Sequence, residues 1–191
     1  MAMNLTEDVD TAFQLSRKGV TEGAELPMVM VKGTERIIIG LACEDADQRA
    51  KVLFGMGVML SHLKPEHVVF SAIAWCLKQF LRRPSEAPDR EEVVLVGWKT
   101  REGNGGSRAL PFTRVGKESI WGEVMEVEDF ESPPLEAFWD GVRLGEAHPE
   151  LAEEWRRKVG IAVDQPEHPN RKVDKGVNGH AGKANQNLAD H

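Results

Sequence analysis

The sequence predicts an α+β domain: a single antiparallel sheet of five or six strands, one central buried helix, and peripheral helices towards both ends of the chain. Three observations carry this expectation. The runs Arg36–Leu41, His67–Leu77 and Glu91–Trp98 are rich in β-branched residues and apolar on both faces, as strands inside a covered sheet are. Between the first two, Ala46–Leu63 places Val52, Met56, Met59 and Leu63 at helical spacing, with Leu53, Phe54 and Leu60 widening the stripe until little polar face remains. The order helix, hairpin, helix, strand meander, helix then describes strands joined to their neighbours, which is an antiparallel arrangement.

In chain order, Leu5–Gly19 reads as a helix. Thr6 caps it, Glu7, Asp8 and Asp10 suit its positive first turn, and Arg17 and Lys18 suit its last. Val9, Ala12, Phe13 and Ser16 give only a narrow apolar face, so this helix is expected to dock on the domain from outside. Pro27–Val31 and Arg36–Leu41 form a hairpin around Lys32-Gly33-Thr34-Glu35, and the consecutive Ile37, Ile38 and Ile39 predict a second strand covered on both sides. Gly55 and Gly57 each cost about 1 kcal/mol in a helix interior, so they predict a close backbone approach by a strand or by a partner's helix. Pro65 ends that helix.

Arg82–Arg90, with two prolines, and the Gly-rich Thr100–Ser107 read as loops. Arg108–Val115 and Ser119–Val127 close the sheet as a hairpin, and Pro111, having no amide to donate, predicts that the first of them is an edge strand or carries a bulge. Ser132 caps a helix that begins at Pro133-Pro134 and presents Leu135, Phe138, Trp139 and Val142 on one face. Pro149–Val159 is a second short helix anchored by Leu151 and Trp155. The expected organisation is an N-terminal helix and linker over 1–25, the α+β domain with its C-terminal helices over 26–163, and a polar, disordered tail over 164–191.

Composition bounds the function. With 191 residues and 41% hydrophobic content the chain can bury a real core, while a net charge of −7 argues against nucleic acid as a partner. Binding through Arg82, Arg83, Lys99, Arg101 and Arg108 would need all five to share one face. Cys43 and Cys76 lie in apolar segments and read as free buried thiols; with no signal peptide and no run of about 18 apolar residues, a cytoplasmic location without a membrane partner is expected.

Templates for catalysis and cofactor binding are missing: there is no GxxxxGK[ST], GxGxxG, GxSxG or HExxH, and no cofactor is expected. Nor is a metal site, although His62 and His67 could approach each other across Lys64-Pro65-Glu66 with Glu66 as a third ligand. The most suggestive stretch is Arg82–Glu91, where prolines stiffen a loop carrying Arg83, Asp89 and Arg90. A guanidinium fork there would bind a carboxylate or phosphate, with His67 as an additional candidate; the alternative is an internal Asp89–arginine clamp tying the loop to the sheet.

A buried strand ending in Ala74-Trp75, followed by Pro84-Ser85-Glu86-Ala87-Pro88-Asp89-Arg90-Glu91 and a second apolar strand, resembles a family of uncharacterised bacterial and phage proteins with a PSxxPDRxE-like signature. The likeness spans Val68–Trp98. The resemblance implies no function beyond marking the loop, and Ile73 stands where relatives carry an acidic residue. By pattern the domain is also similar to roadblock and profilin-like layouts, which serve as binding or scaffolding modules. The function expected is a protein-interaction or regulatory module that binds a protein partner or self-associates through the glycine-bearing helix or an edge strand. The alternative is a small hydrolase or a binder of a small anionic ligand.

Overall fold

The computed structural model of the chain describes residues 5–24, 27–42, 46–77, 90–116, 118–127 and 132–159. Among the described residues, four helices flank one sheet of seven strands, an α+β architecture in which every strand pair is antiparallel. The chain runs α1 (Leu5–Glu22), β1 (Met28–Lys32), β2 (Arg36–Gly40), α2 (Ala46–Leu60), β3 (His67–Leu77), β4 (Arg90–Thr100), β5 (Gly105–Val115), β6 (Glu118–Trp121), β7 (Met125–Glu126), α3 (Pro133–Ala147) and α4 (Pro149–Val159). The strand order is β2-β1-β3-β4-β5-β6, with β7 also pairing β5. The described residues, α1 included, belong to one compact unit. The expected tail, the Arg82–Asp89 part of the loop and Cys43 lie outside the described residues.

Register explains why the two-sided apolar strands are needed. Val29 and Val31 of β1, Ile37 and Ile39 of β2, and Val68, Phe70 and Ala72 of β3 face one way and pack against Leu53, Met56 and Leu60 of α2 and Leu135, Phe138, Trp139 and Val142 of α3. The alternate residues, Met30, Val69, Val94, Val96, Leu110 and Phe112, face the other way onto Val9, Ala12, Phe13 and Val20 of α1. The two covers are offset across the sheet. The α2–α3 pair lies over β2-β1-β3, whereas the α1 core draws on β1, β3, β4 and β5 and on Trp121 of β6. Beyond docking from outside, α1 supplies one of the two cores.

Several expectations change for physical reasons. Ile38 is on the α1 face of β2, beyond the reach of α1, and is 47% exposed, so β2 is not covered on both sides. The helix Ala46–Leu60 does not cover its face alone, because α3 lies beside it. Pro111 sits inside the sheet, between Val93 of β4 and the β6 side, where its carbonyl accepts from the Gly122 amide at 2.9 Å. Its missing amide falls at the point where the expected strand Ser119–Val127 breaks into β6 and β7, which is how an interior strand tolerates it.

The helix glycines mark a backbone-to-backbone crossing. A Cβ on Gly57 would lie 2.0 Å from the Phe138 carbonyl oxygen, and one on Gly141 would lie 2.0 Å from that of Phe54. One on Gly145 would lie 2.5 Å from the Val58 oxygen, while Gly55 faces the Trp155 ring at 3.2 Å. The close approach read from Gly55 and Gly57 is thus made by the chain's own α3 and α4. Gly57→Ala and Gly141→Ala should each destabilise the fold by roughly 2 kcal/mol or more, despite the roughly 1 kcal/mol that alanine gains in helix propensity. Gly55→Ala, which meets only a ring edge, should cost distinctly less; urea midpoints of the three variants check the order.

Candidate functional site

Of the residues singled out in the sequence, Arg83 and Asp89 lie outside the described residues, and Arg90 opens β4 opposite Leu77. His67 opens β3 opposite Thr100, at the other end of the same ladder. Ten residue steps at about 3.3 Å separate the two positions by roughly 30 Å, so the structure does not bring His67 and Arg90 together.

His67 belongs instead to a buried charge cluster. Its Nε2 lies 2.7 Å from Asp8 Oδ2, and Asp8, in the first turn of α1, is completely buried. Arg36 Nη2 of β2 lies 2.8 Å from Asp8 Oδ1, an ion pair whose N–H is not aligned for a hydrogen bond, and the same guanidinium donates to Met30 Sδ at 3.3 and 3.4 Å. His67 is itself 5% exposed and turned into Asp8, so it has no open path to a substrate. What the cluster does is fix α1 to β2 and β3 at one end of the sheet. Ser16 Oγ donating to Ser71 Oγ at 3.0 Å and Arg17 lying 5.0 Å over the Trp121 ring fix α1 farther along its length.

At the same end of the sheet, on the α2–α3 side, the turn Ser61–Glu66 opens a cleft of about 560 Å³ towards Arg101, Glu102, the end of α3 and α4. Lys64 shapes it with a left-handed backbone, φ 50°, that returns its amide to Ser61 O at 3.0 Å. Arg101 donates from Nη1 to Pro65 O at 3.3 Å and pairs through Nη2 with Glu146 Oε1 at 2.5 Å. Glu102 has a carboxyl held below the usual range, first by its own backbone amide and then by the Thr100 hydroxyl. Arg156 Nη1 donates to Met59 O at 3.0 Å and lies 3.0 Å from His62 Nδ1, itself 2.9 Å from Met59 O.

A third feature is apolar. Val115, Ile120, Val124 and Met125, at the far edge of the sheet, are 56%, 60%, 52% and 43% exposed. Register puts Val115, Ile120 and Met125 on one face, the one whose apolar core under α2 and α3 draws on β1, β2 and β3.

His62 and His67 turn to different partners, and among the described residues no group of three His, Cys, Asp or Glu side chains is placed to hold a metal. Lys99, Arg101 and Arg108 are paired with Glu136, Glu146 and Glu126, and register puts Lys99 and Arg108 on opposite faces. No described helix is long and apolar enough to cross a membrane. No protein-family model matches the chain, and neither does any curated protein or solved structure.

Sequence reasoning took Asp8 for a first-turn acid and missed its partners, because nothing local marks a pairing across 59 positions. Removing Asp8 leaves the Arg36 guanidinium and the buried His67 ring without their shared carboxylate, so Asp8→Ala should cost about 3 kcal/mol in chemical denaturation, with Asp8→Asn costing less because one hydrogen bond to His67 survives. NMR titration of Glu102 should give a midpoint below the ordinary glutamate value. Because its folded-state pKa is lowered, the stabilisation it contributes is present above the unfolded value and is lost as pH falls through the folded one.

Proposed function

We propose that the protein is an interaction module working through the free edge of its sheet, and that the partner is a second copy of this chain. The observation that carries this reading is the exposed strip Val115, Ile120 and Met125 lying beside an edge strand on a face of the sheet. Apolar side chains grouped in this way on a folded surface mark contact sites, and an open strand is a template for another strand.

The backbone of β6 suits that use. Gly122 aims its amide at Pro111 of β5, so Ser119 and Trp121, of the other parity, aim their backbone groups outward. A two-fold axis through Ile120, perpendicular to the sheet, sets Ile120 against its copy and Ser119 opposite Trp121. Glu118 then meets Gly122, no carboxylates are opposed, and two apolar strips merge on one face of a continuous sheet. The alternative route through the glycine-bearing helix has no free surface at Gly55 and Gly57, which α4 and α3 occupy. The likeness to roadblock and profilin-like binding modules, a regulatory role and a cytoplasmic setting that keeps Cys43 and Cys76 reduced belong to the same reading.

Native mass spectrometry and light scattering at micromolar concentration should find two chains per particle. Ile120→Asp should weaken association by more than about tenfold while leaving the melting temperature near that of the wild type, because the side chain is exposed in the monomer. A wild type that stays single-chain up to millimolar concentration, or an Ile120→Asp variant that dimerises as well as the wild type, would overturn the proposal.

A further inference from the structure

We propose that the cleft beside the Ser61–Glu66 turn binds a small organic oxyanion, a ligand presenting one carboxylate or phosphate group, and that Arg156, His62 and Lys64 hold it. The space, about 560 Å³, is of the size that takes a small molecule. What selects the charge is the unsettled bonding around Met59 O. Arg156 Nη1 and His62 Nδ1 both lie against this one carbonyl, at 3.0 and 2.9 Å, and 3.0 Å from each other. The Arg156 guanidinium carries more N–H groups than this one carbonyl, shared with the imidazole, can accept. An oxyanion in the cleft takes the N–H groups that the carbonyl cannot serve.

Arg101 and Glu102, also in the wall, have partners of their own. Arg101 is spent on Pro65 O and Glu146, and the Glu102 carboxyl is held by its own loop. Among the described residues, neither Arg156 nor Lys64 has a carboxylate within ion-pair distance, whereas Arg101, the other cation in the wall, does. The carbonyl fixes the guanidinium before any ligand arrives, which lowers the ordering cost of binding. Glu66, also in the wall, favours a ligand with one compact anionic group over a polyanion. None of the residues lining the cleft belongs to β6 or to the strip Val115, Ile120 and Met125, so its test is independent of self-association.

The test is calorimetric titration of the full chain with inorganic phosphate and, separately, with malonate, both at ionic strength matched with sodium chloride. Saturable binding in the millimolar range or tighter is expected, and the tighter of the two anions names the ligand group. Arg156→Gln should weaken it by about tenfold and Lys64→Gln by a smaller factor, while Arg157→Gln, an exposed neighbour outside the cleft, should leave it unchanged. Addition of the tighter-binding anion should also move the ring resonances of His62. Should Arg156→Gln fail to fold, Lys64→Gln, altered at an exposed side chain, still reads the site. No saturable binding by the wild type, or an equal loss in Arg157→Gln, would overturn the proposal.

Discussion

The crossing of α2 and α3 constrains everything else on its side of the sheet. Gly57 and Gly141 let the two helices touch backbone to backbone, where even a methyl group would lie 2.0 Å from a carbonyl oxygen. Helices drawn so close make a narrow pair, while strands spaced about 4.8 Å apart make the sheet wide. The pair therefore covers β2, β1 and β3 and leaves the β5–β6 end of its face to other uses. The exposure of Val115, Ile120 and Met125 follows from this geometry and not from a lack of apolar surface elsewhere in the core.

The opposite face is governed by charge as well as packing. Asp8, fully buried, draws Arg36 and His67 to the start of α1, and the helix then runs across the sheet until Arg17 reaches Trp121. A buried ion pair adds little net stability over an apolar replacement, but losing one partner is costly, so such a cluster acts mainly to fix where α1 sits. Because α1 is fixed there, Ile38 at the β2 edge stays uncovered, while at the other end Phe112 is buried and Trp121 partly buried, with ring centroids 5.1 Å apart. The two covers are offset in opposite directions, and the sheet is left with one apolar strip on the α2–α3 face and one isolated isoleucine on the other.

Much of the fold was legible because it is written in local periodicity. The two-sided strands at His67–Leu77 and Glu91–Trp98, the Ser132 cap whose Oγ accepts the Leu135 amide, and the Pro-initiated α3 all carry their signals within a few residues. Even the glycines of α2 announced a close approach. What they could not announce was the identity of the neighbour, since Gly141 and Gly145 lie more than eighty positions away and look like ordinary flexible residues until both helices are placed. The same holds for the candidate sites. Arg156 and Met59 come together across 97 positions and Asp8 and His67 across 59, whereas sequence reasoning grouped His67 with Arg90, which the β3–β4 register sets at opposite ends of one ladder. Pro111 was expected to mark an edge strand or a bulge, but β5 is an interior strand in unbroken register with β4, and the missing amide falls where the neighbouring strand divides into β6 and β7.

If the β6 edge is the working surface, its outward backbone groups must change partners on association. Hydrogen exchange of the Ser119 and Trp121 amides, followed by NMR over a wide range of protein concentration, reads this directly. A dimer through β6 predicts that both amides become protected as concentration rises, while the Gly122 amide, already bonded to Pro111, does not change. Exchange at Ser119 and Trp121 that stays fast and independent of concentration would contradict it.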